Sequence, residues 1–90
     1  MTVSQTLQIV NEKGLHARAS AKFVETVEGF DARCTVSKDG LDAAGDSIMG
    51  LLMLAASKGS TIEVQILGDE AAQLAEALER LVADRFGEPV

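Results

Sequence analysis

Polar and apolar positions alternate in several short stretches of this chain and recur at helical spacing in two longer ones. Val3, Leu7 and Ile9 alternate with Thr6 and Gln8, the pattern of a strand with one buried face. Asn11-Glu12-Lys13-Gly14 then predicts a turn. From Ala17 to about Glu28, Phe23, Val24 and Val27 recur at helical spacing, and Gly29 supplies a stop. Cys34 and Val36 alternate with Thr35 and Ser37 in a second strand, and Asp39-Gly40 is a hairpin signal leading into a short strand around Leu41 to Ala44.

Asp46-Ser47 offers N-cap chemistry for a short helix from Ile48 to about Ala55, ending before Lys58-Gly59. Ile62, Val64 and Ile66 alternate with Glu63 and Gln65 in the clearest strand of the chain. Ala71, Leu74, Ala75, Leu78, Leu81 and Val82 mark an amphipathic helix, with Glu76 and Arg80 four apart on its outer face. The tail, Gly87-Glu88-Pro89-Val90, is expected to fray. The order β-α-β-β-α-β-α predicts an α+β fold: a two-layer sandwich whose four-stranded, largely antiparallel sheet is wet on one face and covered by three helices on the other. No linker, repeat or low-complexity segment divides residues 1–90, so one domain is expected.

Composition narrows the function classes. Three Phe and no Trp or Tyr leave the core to aliphatic residues and exclude an aromatic platform for stacking bases. Fourteen acidic residues against eight basic ones, a net charge of -6, disfavour nucleic acid and anionic membrane surfaces as partners. Cys34 is the only cysteine, so no internal disulfide and no paired-cysteine metal or redox site is available. It lies on the apolar alternation of its strand, as a buried and unreactive thiol would. Met1-Thr2-Val3-Ser4-Gln5 lacks a basic segment followed by an apolar run, and Ile48 to Ala56 is too short to span a bilayer. Neither a signal peptide nor a membrane span is expected, and a reducing cytoplasm is the simplest setting.

The chemistry-bearing residue is His16, the single histidine, in Gly14-Leu15-His16-Ala17-Arg18-Ala19-Ser20. It stands where the first turn meets the first helix. The free N–H groups there, and roughly half a positive charge from the helix dipole, favour an anion beside the ring. Arg18 can turn its guanidinium fork toward the same space. A neutral imidazole nitrogen among such donors is a competent phosphoryl acceptor. A solvated or capping histidine would have the same sequence setting, and the residues alone leave both readings open.

This run resembles the active-site motif of HPr, the histidine-containing phosphocarrier of the bacterial phosphoenolpyruvate-dependent phosphotransferase system. Asp46-Ser47-Ile48-Met49-Gly50 is similar to the second signature of that family, and Lys58-Gly59 and the element order match as well, so the resemblance extends over about Thr2 to Phe86. It implies that His16 accepts a phosphoryl group on Nδ1 from phosphorylated enzyme I and passes it to an enzyme IIA domain. Arg18 would steady the phosphohistidine, and Ala17 would line the rim. The family usually has proline after the arginine. Ala19 keeps the helix and returns one N–H donor.

The resemblance further implies regulatory phosphorylation of Ser47 by HPr kinase/phosphorylase, beyond its role as an N-cap hydroxyl. Of the nine residues Ile48 to Ala56 only Gly50 is not apolar. Ile48, Met49 and Leu52 are therefore candidates for an exposed partner-docking patch, or else belong to the core. No cofactor and no metal are implied, and a carrier that must show His16 to several partners is expected to be a monomer. It forms a phosphohistidine intermediate without being a free-standing catalyst. Phe30-Asp31-Ala32 and Leu51-Leu52-Met53-Leu54 resemble the nitrogen-related phosphotransferase branch somewhat more than the sugar carriers, which keeps open a regulatory binding domain that signals through its phosphorylation state. A metal chaperone of similar topology would lack soft ligands here.

Overall fold

Strand β4 (Thr61–Leu67) lies between β1 (Thr2–Gln8) and β2 (Arg33–Lys38), and β3 (Leu41–Ala44) extends the sheet beyond β2 in the order β1-β4-β2-β3. This is a computed structural model, and it describes residues 1–90. Every strand pair is antiparallel. Val3 and Cys34 flank Ile66, Leu7 opposes Ile62, and Val36 opposes Val64. One face of the sheet therefore carries the inward alternation in register, while Ser4, Gln65 and Thr35 face solvent.

Helices α1 (Ala17–Glu28), α2 (Ile48–Met53) and α3 (Ala71–Ala83) cover the apolar face. Phe23 and Leu51 from two of them, Leu74 and Leu78 from the third, and Ile62, Val64 and Ile66 from the sheet are fully buried in one core. The architecture is the expected α+β sandwich.

Three local expectations are corrected. Ile9 lies outside β1, although its backbone still bonds Ser60 and Gly59 across the loop. The second helix ends at Met53 with Leu54 as its C-cap, because Ala55 turns into the left-handed region at φ 52° and the helix cannot continue.

The largest departure is the tail. Arg85 and Phe86 both have φ 56°, which reverses the chain after α3 and drives the Phe86 ring fully into the core. Nζ of Lys22 donates to the Phe86 carbonyl at 2.7 Å. The Glu12 N–H donates to the Val90 carbonyl at 3.2 Å. Residues Gly87–Val90 are thus docked over the loop that carries His16, anchored by an aromatic ring that the low-aromatic core has few alternatives to.

Candidate functional site

His16 is the N-cap of α1, with extended backbone at φ -77° and ψ -177°. Its Nδ1 accepts the Arg18 N–H at 3.2 Å, the bond a Ser or Asp cap would make with an oxygen. The first backbone bond of the helix runs from Ser20 N–H to the His16 carbonyl at 2.8 Å. The preceding loop is pinned against the segment that follows α2, where the Leu15 N–H donates to the Ala56 carbonyl at 2.8 Å. Gly14 makes this approach possible. At φ 69° it sits where a Cβ would lie 2.5 Å from the Ala56 oxygen.

The other ring nitrogen, Nε2, is hydrogen-bonded to Oε2 of Glu88. The Glu88 side chain is 14% exposed and the His16 side chain 27%. The second carboxylate oxygen of Glu88 accepts from Nδ2 of Asn11 at 3.0 Å, and the same Nδ2 donates to the Gly14 carbonyl at 2.8 Å. Asn11 is fully buried, and its Oδ1 has no partner within the protein. The Asn11 bond holds the Glu88 carboxyl below the usual glutamate range; burial opposes this, and the His16 ring and the Lys13 charge add to the lowering.

Arg18 is exposed, and its guanidinium forms no ion pair with any other residue. With Lys13, Ala17 and the tail it lines a cleft of about 430 Å³ that opens beside the His16 ring. A second shallow groove runs from His16 past Leu15 to Leu52 and Ala55. The site therefore combines a ring nitrogen at a helix start, an unpaired guanidinium and an adjoining apolar surface.

A family model described as PTS HPr component phosphorylation site matches residues 3–84. The chain belongs to the HPr family. The phosphocarrier protein HPr of Neisseria meningitidis is 44% identical over 86 residues, covering 96% of this chain and 97% of that protein. The phosphocarrier protein NPr of Escherichia coli is 39% identical over 89 residues, covering 98% and 99%. The crystal structure of HPr-C-His from Thermoanaerobacter tengcongensis superposes with a TM-score of 0.92 at 35% identity, covering 98% of this chain and 99% of that one. A phosphocarrier role in the phosphotransferase system follows from that membership.

Within the HPr fold, α2, which begins in the second signature, packs against α1. Ser47 is the N-cap of α2, and its Oγ accepts the Gly50 N–H at 3.0 Å. Of the apolar residues marked in the sequence, Ile48 is 39% exposed and Met49 69%, whereas Leu52 is half-buried and shares the groove with His16. Met53, at 75% exposure, belongs to the same surface and was not distinguished by the pattern. Leu51 and Leu54 point into the core. Burial pushes the Cys34 thiol up to about 11, with Asp46 adding to the effect.

Sequence reasoning missed Glu88 and Asn11. Asn11 is read as a turn residue because turns favour asparagine, and its burial is a tertiary outcome. Phe86 was the available signal: a large apolar ring just beyond an amphipathic helix needs a buried place, and that ties down the residues after it. No three metal-ligating side chains are gathered anywhere in the chain, and no helix is long and apolar enough to cross a membrane.

Proposed function

We propose that this chain is a cytoplasmic phosphocarrier that accepts a phosphoryl group from phosphorylated enzyme I on Nδ1 of His16 and donates it to an enzyme IIA domain. The observation that carries the reading is the placement of His16 as the N-cap of α1, with Nδ1 on the Arg18 N–H and the Arg18 guanidinium unpaired beside it. In the step, the Nδ1 lone pair attacks phosphorus and gives up its weak cap bond. The phosphoryl oxygens then take over the first-turn N–H groups, so that the phosphate becomes the cap of the helix. Arg18 closes on the same oxygens. Partner groups complete the stabilisation of a loose, in-line transition state.

Residues 1–90 act in this reading as one monomeric domain. Ala17 at the rim and Ile48, Met49 and Leu52 beside it form the docking surface, and the exposure of Met53 extends it. Methionine suits a surface that must fit several partners in turn. Phosphorylation of Ser47 by HPr kinase/phosphorylase would add negative charge next to Asp46 at the edge of that surface. It would oppose partners with acidic rims while leaving the helix start electrostatically satisfied.

The similarity to NPr supports a second reading, in which the phosphorylation state of His16 is a signal in the nitrogen-related branch. Both readings need a phosphohistidine. Intact mass after incubation with enzyme I, magnesium and phosphoenolpyruvate tests them together. The expected result is one added phosphoryl group, lost in mild acid and absent from His16→Ala. No added mass, with sugar-branch and nitrogen-branch enzyme I each active on its own carrier, would overturn both. The enzyme IIA that drains the label separates them.

A further inference from the structure

Both nitrogens of the His16 ring are engaged, and the two bonds together assign the proton. Nδ1 accepts from the Arg18 N–H, so it carries the lone pair, and Nε2 must then be the donor. Its acceptor is Oε2 of Glu88. Glu88 is not a chance neighbour from a loose end. Its Oε1 is held by the buried Asn11, and the chain before it is fixed by the Phe86 ring and the Lys22 bond to the Phe86 carbonyl. The carboxylate accepts from two different donors at once. An amide in its place has only one oxygen and would set an NH2 group against one of those donors.

We propose that Glu88 is a positioning residue for phosphoryl transfer: it holds Nε2–H of His16, which keeps Nδ1 as the nucleophile and balances the cation that the ring becomes. The inference rests on the phosphocarrier reading of His16. When Nδ1 bonds phosphorus, the bond from phosphorus to the donor breaks and its electron pair leaves with the donor. Nε2 keeps its proton, and the ring becomes an imidazolium facing the Glu88 carboxylate. In the second half-reaction the acceptor's lone pair attacks phosphorus, and the P–N electrons return to Nδ1. The ring is neutral again, with the same proton on Nε2. Neither half-reaction requires a proton to leave the site. The other charges facing the ring are those of Lys13 and Arg18, both on the cleft that receives the phosphoryl group.

The test compares the wild-type chain with Glu88→Gln and Glu88→Ala by two measurements. In the first, the Nε2–H proton of the unphosphorylated ring is followed by nitrogen-15 NMR. The wild type is expected to show a downfield resonance protected from exchange with water, and both variants to lose it while their backbone spectra remain folded. In the second, phosphorylation by phosphorylated enzyme I is followed as a single turnover. The rate at saturating enzyme I is expected to fall about tenfold in both variants, the lower end of what the carboxylate partner of a metal-bound histidine contributes. The concentration of enzyme I giving half-saturation is expected to stay the same.

A Glu88→Gln chain with the wild-type saturating rate would overturn the proposal. So would a change confined to the half-saturating concentration, which would make Glu88 a docking contact. A wild type that takes no phosphoryl group on His16 would overturn the carrier reading itself, a different result from a phosphorylated wild type with unaffected variants.

Discussion

Asn11 Nδ2 and Glu88 Oε1 are 3.0 Å apart although 77 positions separate them in the chain. The bond ties the tail to the turn that precedes His16, and it is the main reason that the Glu88 carboxyl is lowered. A carboxyl depressed in the folded state contributes stability that is present above its unfolded value of about 4.3 and is lost as pH falls through the folded value. Glu88→Gln should therefore be less stable than wild type at pH 7, by at most roughly 1.5–3 kcal/mol, the range for a bond to a charged group. The gap should narrow as pH falls below the unfolded value and close once pH is below the lowered folded value, where protonation leaves Glu88 no better an acceptor pair than glutamine. Urea midpoints at pH 7 and pH 3 measure it, and an equal gap at both would show that the carboxylate charge is not what holds the tail.

Arg18→Ala removes the only cation that follows His16 in the first turn of α1. Its guanidinium has no ion pair to lose, so the fold should be unaffected and the circular dichroism spectrum unchanged. Phosphoryl transfer to His16 should slow by about tenfold to a hundredfold, since hydrogen bonds to a charged group are worth roughly 1.5–3 kcal/mol. Normal transfer rates would remove Arg18 from the site.

Ser47 separates a structural role from a regulatory one. Ser47→Ala loses the Oγ bond from the Gly50 N–H and should cost about 1 kcal/mol in thermal or chemical denaturation. Ser47→Asp replaces one good N-cap with another and should keep the stability. Its added charge should weaken binding to enzyme I, which calorimetry would register. An unchanged isotherm for Ser47→Asp would leave the serine a cap alone.

Ala55 holds a left-handed backbone at φ 52° just past α2, and its side chain is exposed. That conformation costs an alanine roughly 1–2 kcal/mol and a glycine almost nothing. Ala55→Gly should raise Tm by about 2–6 °C, after allowance for the greater entropy glycine loses on folding. A lower Tm would mean that the Ala55 methyl packs more than its exposure suggests.

Cys34 packs against Gly45 so closely that a Cβ there would fall 1.9 Å from its Sγ. Gly45→Ala should destabilise by about 1–3 kcal/mol, the range of overpacked cores. In the wild type, burial and a thiol pushed up to about 11 should keep Cys34 unlabelled by iodoacetamide at pH 8 until denaturant is added. Rapid labelling of the native protein would show that the sheet opens readily around β2.

The parts of the fold that depend on neighbours a few residues away were legible in the chain. Strand alternation at Ile62, Val64 and Ile66, helical spacing in Ala71–Ala83 and the Ser47 cap are local devices. So is the placement of His16 at a helix start, and together these carried the fold and the centre of the site. Helix boundaries were legible to within two residues; Ala55 shows why not closer, since alanine carries no sign of the left-handed turn it makes. Which apolar residues of α2 face outward depended on how α2 lies on α1 and β3. Met49 and Met53 were left in solvent and Leu52 half-covered for that reason. The pairing of His16 with Glu88 was decided by the tertiary structure alone. It spans 72 positions and has no period or spacing to mark it. It exists because Phe86 is better buried than exposed, and burying that ring returns the chain across the site.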